Sequence, residues 1–202
     1  MERSEKVTSA GAGIEEQMAI AAQHEAGHIV TAAALGLSLR PEGIMLDSDA
    51  QGLACYALAP EESDESREVV ILSTYAGYLS QKQFCDDNGY QCPQVDDMSV
   101  ICSQDFQYAR RIEGKLSLRY LGERGMGQVG MDLRSKATGI TAELRPIIDK
   151  VAAALLAKEP EPTRKLMSGN DWSPASAVRH LTGIQVGEIL KAHGIQPNFD
   201  AF

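Results

Sequence analysis

A chain of 202 residues with 44% hydrophobic content carries enough apolar side chains for one globular domain, or one core with a smaller appendage. Its formal net charge of −9 argues against nucleic acid or an anionic membrane surface as the main partner, because phosphate binding requires a basic footprint. No apolar run reaches the roughly 18–20 residues of a spanning helix, and the opening MERSEKVTSAGAGIEEQ lacks a signal peptide's apolar core, so the expectation is a cytoplasmic protein without direct membrane insertion.

Residues 1–13 read as a small-residue leader. From 14 to 36, Ile14, Met18, Ala21, Ala22, Ile29, Ala32, Ala33 and Leu35 recur at helical spacing, and Gly36 marks the expected end of a long, mostly buried helix. The segment PEGIMLDSDAQGLACYALAP holds two short apolar runs around a polar turn, which predicts a β-hairpin. An acidic first turn and an apolar stripe through Val69, Leu72, Tyr75, Ala76 and Leu79 predict a second helix over 61–84. After the polar loop DDNGYQCPQVDD, the stretch SVICSQDFQYARRIEGKLSLRYL predicts a third helix.

The glycines of GERGMGQVGMD predict a loop or flap, followed by a helix over TAELRPIIDKVAAALLAKEPEP with Thr141 as N-cap and Pro146 near its first turn. A last segment covers about 173–193. No internal repeat is present, and the pattern is mainly α with one small hairpin. Cys55, Cys85, Cys92 and Cys102 are widely spaced without a CxxC pair, which predicts reduced structural thiols rather than a zinc ribbon or a thioredoxin-type motif.

Two of the four histidines fall in the first helix, within His24-Glu25-Ala26-Gly27-His28. Residues four apart stand one turn above each other, so both imidazoles can reach one metal ion from the same face, with Glu25 flanking that face. This is the HExxH arrangement in which Zn²⁺ lowers the pKa of a water and a carboxylate takes its proton. Chance alone places the pattern in about half a per cent of chains of this composition, which favours metal binding over two merely packed histidines. Gly27 costs the helix roughly 1 kcal/mol relative to alanine, so another backbone or a bulky side chain is expected where its Cβ would stand.

A catalytic zinc site takes a third protein ligand. Thr31 and Ala34 occupy the positions that a metzincin extension would fill with Gly and His, which excludes that class. Glu65, Glu68, His180 and His193 remain candidates on distance alone.

HEAGHIV resembles the signature of the peptidase domain of FtsH-type ATP-dependent zinc proteases, which reads HEAGHA. EGIMLDSDAQGLACYAL is similar to the hairpin after that helix, and STYAGYLSQKQF to the helix written AGRAAEE. SQDFQYARRI resembles SNDLERATxxAR, AELRPIIDKVAAALL resembles EEVRRIIDEAYERAKEIL, and LTGIQVGEIL resembles the late LTGEEI element. The likeness covers about residues 15–192, with HEAGH as its one strongly specific piece.

The resemblance implies a helical zinc-peptidase domain over 14–202, with a zinc-site half at 14–120 and C-terminal helices at 140–193. It implies Asp105, aligned with the aspartate of SND, as the third zinc ligand beside His24 and His28, with Asp96 and Asp97 as rivals. Glu25 would act as general base, and a strand near 52–58 would pair with an extended peptide substrate. Gln81 departs from the family by standing where the AGRAAEE helix has its first glutamate, and no G-x-x-x-x-G-K-[ST] occurs anywhere. The expected activity is therefore zinc-dependent hydrolysis of peptides or unfolded protein segments. A ring-like homo-oligomer, a separate ATPase partner, a monomer and a dimer are all compatible with it. An inactive peptidase-like binding or regulatory module is the alternative, and intact Glu25 argues against it.

Overall fold

The structure, a computed structural model, describes residues 13–58, 63–92, 103–122, 125–162 and 177–199. It is mainly helical with a small, largely antiparallel sheet. Helix α1 (Ile14–Ala34) ends as expected, with Leu35 as its cap and Gly36 at φ 88° turning the chain into β1 (Ser38–Asp47). Strand β2 (Gly52–Tyr56) completes the expected hairpin. Helix α2 (Asp64–Asn88) starts on Ser63, whose side chain accepts from the Ser66 N–H, and runs beyond the expected 61–84 span.

The third predicted helix is two. Helix α3 (Ser103–Glu113) breaks off at Gly114, and Ser117 caps a single further turn, α4 (Leu118–Leu121). The glycine-rich stretch corrects the prediction of a flap. Residues from Gly125 onward belong to α5 (Gly125–Leu156), so Thr141 lies in mid-helix with its hydroxyl donating to the Ala137 carbonyl, and Pro146 is interior as well. Burial of Val129, Leu133 and Ala137 outweighs the propensity cost of the glycines, which is a tertiary effect outside any local window.

The segment near 173–193 is also corrected. Strand β4 (Ala177–Leu181) precedes α6 (Gly183–Ala192), which opens on a reciprocal capping box between Thr182 and Gln185. Two-residue strands β3 (Glu161–Pro162) and β5 (Asn198–Phe199) complete a sheet of order β2-β1-β4-β3, with β5 parallel to one end of β1. The lone hairpin of the sequence reading is thus part of a five-stranded sheet.

Two cores share α5. One packs Ala22, Ala26, Ile29 and Val30 of α1 on Ile44 and Leu46 of β1, with Val151 and Leu155 of α5, Leu181 of β4 and Leu190 of α6. The other gathers Ile71, Leu72 and Tyr75 of α2 with Ala109 and Ile112 of α3 and Val129 and Leu133 of α5. At 32 residues α5 is about 48 Å long, enough to run past both. Helix α1 packs along α2, and no helix among the described residues is long and apolar enough to cross a membrane.

Candidate metal centre

Helix α1 can lie close against α2 because residue 27 has no side chain. A Cβ there would stand 2.6 Å from the Ala76 carbonyl oxygen and 2.8 Å from the Ser80 Cβ, which is the expected compensation for a glycine in a helix. Gly77, on the facing side of α2, leaves room for the His28 ring, which a Cβ at that position would meet at 2.6 Å. Both glycines therefore set the helix–helix distance at which the histidines acquire partners.

Those partners fix the ring orientations. His24 Nδ1 lies 2.9 Å from Gln81 Oε1, and His28 Nδ1 lies 2.8 Å from the Ser73 carbonyl oxygen, both on α2. Carbonyl oxygens only accept, so each Nδ1–H donates and each Nε2 is left with its lone pair free of that bond. The two Nε2 atoms stand 3.0 Å apart, and Asp105 Oδ2 on α3 lies 3.0 Å from that of His24 and 3.1 Å from that of His28. His24, His28 and Asp105 form the group that could hold a metal ion among the described residues. Tetrahedral donors roughly 2.0–2.2 Å from one ion stand about 3.3–3.6 Å from each other, so this triangle has to open by only a few tenths of an ångström to hold one.

The donor chemistry fits a cation as well. With both Nδ1–H groups committed, two nitrogen lone pairs and a carboxylate oxygen face one another at contact distance, an arrangement that only positive charge relieves. The protein's own charges express the same demand. Burial by itself would lower the His28 imidazole, yet the hydrogen bond and charge of Asp105, with the charge of Glu25 and the Ser73 carbonyl, carry it up to about 9. Burial alone would raise Asp105, but its hydrogen bonds and ion pairs with both imidazoles hold its carboxyl far below the usual range.

Glu25 points into the same field without belonging to the triangle. Burial raises its carboxyl above the ordinary range, the two imidazoles oppose this, the charge of Asp105 reinforces it, and the Ala54 backbone N–H donates to it. Gly52 lies under this carboxylate, where a Cβ would meet Oε1 at 2.6 Å. Strand β2 is an edge of the sheet, so its backbone borders the site. Tyr56, at the end of that strand, shares a hydrogen bond with the Ser73 side chain, and burial pushes its phenol up, with Asp105 and Glu25 adding to the effect.

The structure thus brings His24, Glu25, His28 and Asp105 together and leaves the other candidates elsewhere. Glu68 accepts from Lys136 Nζ at 2.5 Å and from the Tyr120 hydroxyl, and Glu65 is exposed in the first turn of α2. His180 Nε2–H donates to the Glu42 carbonyl at 2.7 Å, and His193 Nδ1–H donates to the Ile189 carbonyl at 2.8 Å. Asp96 and Asp97 lie outside the described residues. Sequence reasoning missed Ser73 and Gly77. Ser73 acts on His28 through its backbone carbonyl, which no side-chain pattern encodes, while Gly77 stands inside an apolar helix just as Gly27 does, a signal that could have been read.

No family model matches the chain, and no curated protein matches it.

Proposed function

We propose that the protein is a zinc-dependent metallopeptidase that hydrolyses peptide bonds in peptides or unfolded segments, as the resemblance to FtsH-type peptidase domains implies. The observation that carries this reading is the meeting of His24 Nε2, His28 Nε2 and Asp105 Oδ2 at 3.0–3.1 Å beside the half-buried Glu25 carboxylate, which is not one of them. Zinc bound by these three supplies a Lewis acid that polarises a carbonyl and acidifies water.

The remaining steps belong to the chain's own residues. Glu25, whose carboxyl burial raises above its ordinary value, takes a proton from the attacking water and delivers it to the leaving amine. Gln81 and Ser73 hold the imidazoles in the tautomer that leaves Nε2 free. The β2 edge offers main-chain groups to an extended peptide, a mode that is tolerant of sequence. The widely spaced cysteines, without a CxxC pair, fit the expected cytoplasmic setting.

The test is cleavage of a fluorogenic peptide library and a denatured polypeptide by the zinc-loaded chain, with Glu25→Gln as control. The expected variant retains zinc and loses about 10²–10⁴-fold in turnover. Undiminished turnover in Glu25→Gln would remove the general base from the account. A zinc-loaded wild type inert toward the whole library would favour a binding module.

A further inference from the structure

The far end of α2 holds two thiols that the proposed chemistry does not use. Gln81 and Cys85 are one helical turn apart on the same face, and both are buried. Beyond the helix, Gly89 at φ 67° and Tyr90 both donate backbone N–H groups to the Cys85 carbonyl, which folds the chain back over that face. Cys92 arrives there half-buried. Its sulfur accepts from Gln81 Nε2 at 3.6 Å, and the Cys85 thiol hydrogen-bonds to it. The same Gln81 amide accepts from His24 Nδ1 through its oxygen, so Cys92, Gln81 and His24 form one continuous chain of contacts.

We propose that Cys85 and Cys92 are a redox modification site, closing to a reversible disulfide whose formation withdraws Cys92 from Gln81 and frees His24 from its fixed orientation. The oxidant is a hydroperoxide. The half-exposed Cys92 thiol reacts with hydrogen peroxide to give a sulfenic acid and water. The Cys85 sulfur then displaces the sulfenic hydroxyl, which leaves as a second water with the Cys85 proton. Two thiols are oxidised by two electrons, and one peroxide is reduced to two waters. Bonding at about 2.05 Å needs the sulfurs to close from hydrogen-bond distance, and Cys92, beyond the helix end, is the one placed to move. Gln81 then loses the acceptor that aligns its amide, and the His24 Nδ1–H loses a preset partner.

The consequence for metal binding rests on the zinc reading above; the disulfide and the change at His24 do not. The experiment treats the full chain with low equivalents of hydrogen peroxide, with a dithiothreitol-reversed arm and a Cys85→Ala control. Peptide mapping reads the cross-link, imidazole ¹⁵N spectra of the metal-free protein read His24, and a competing chelator reads zinc affinity.

The expected results are a dominant Cys85–Cys92 cross-link, a shifted His24 Nδ1 resonance and zinc affinity weakened about tenfold, all reversed by reduction and all absent in Cys85→Ala. Cross-linking of Cys92 to a different cysteine, or a Cys85–Cys92 disulfide that leaves His24 unmoved, would overturn the proposal. If the reduced protein takes up no zinc, the metallopeptidase reading falls, while the cross-link map and the His24 spectrum still decide this one.

Discussion

Helix α1 brings His24 and His28 to the centre from a segment buried along most of its length, whereas α3 brings Asp105 from an eleven-residue helix with one face in the core. The side chains reflect this: His28 is 8% and His24 14% exposed, while Asp105 is 39% exposed. Each histidine has a second partner on α2, but Asp105 depends on what anchors α3 around it. That anchor is Phe106 beneath the Arg134 guanidinium, buried Ile112, and Glu113, only 2% exposed, which accepts from the Tyr75 hydroxyl at 2.5 Å. Two ligands are thus fixed by close helix packing and the third by a clamp, so the two sides should fail in different ways.

Breaking the packed side has the largest expected effect. Gly27→Ala gains roughly 1 kcal/mol of helix propensity but drives a Cβ against the Ala76 carbonyl, which cannot rotate away. A net loss of about 3 kcal/mol is expected from the denaturation midpoint, together with loss of zinc binding as α1 and α2 separate. A variant as stable as wild type would show that the helix contact is softer than it looks.

Loosening the clamp comes next. Tyr75→Phe leaves the buried Glu113 carboxylate without its closest donor and should cost about 2 kcal/mol. Stoichiometric zinc should persist in this variant, held by the two histidines and a less confined Asp105. The same pair sets a pH dependence. Burial and the Glu113 contact raise the Tyr75 phenol from its ordinary 10 to about 12. A group raised on folding contributes stability that is complete below its unfolded pKa and is lost as pH rises through the folded one. Wild-type stability should therefore fall between pH 10 and about 12, and Tyr75→Phe should fall less steeply in chemical denaturation across that range.

The smallest effect sharpens the comparison within α1. Gln81→Ala removes the acceptor of His24 but not that of His28, and should weaken zinc binding about tenfold with little change in global stability. An equal loss of stability and affinity would mean that Gln81 is chiefly a packing residue.

Legibility in the sequence follows the range of the interactions. The His24–His28 pair and the compensation at Gly27 could be anticipated because helical periodicity alone puts both imidazoles on one face. Asp105 meets His24 across 81 residues, and nothing local to SQDFQ distinguishes it from a capping aspartate, so only the resemblance pointed to it. The start of α5 was hidden because three glycines report backbone freedom and not the core that Val129 and Leu133 enter. Strands β3 and β5, two residues each, exist only through pairing with distant partners, whereas the Thr182–Gln185 capping box that opens α6 is a local signal that the reading of a segment from about 173 passed over.

Metal content by mass spectrometry, on untagged protein purified without chelator and with Asp105→Ala alongside, tests the centre most directly. About one zinc per chain is expected in the wild type, with a sharp reduction in the variant. Absence of zinc from both proteins after reconstitution, or full retention by Asp105→Ala, would contradict the three-ligand site.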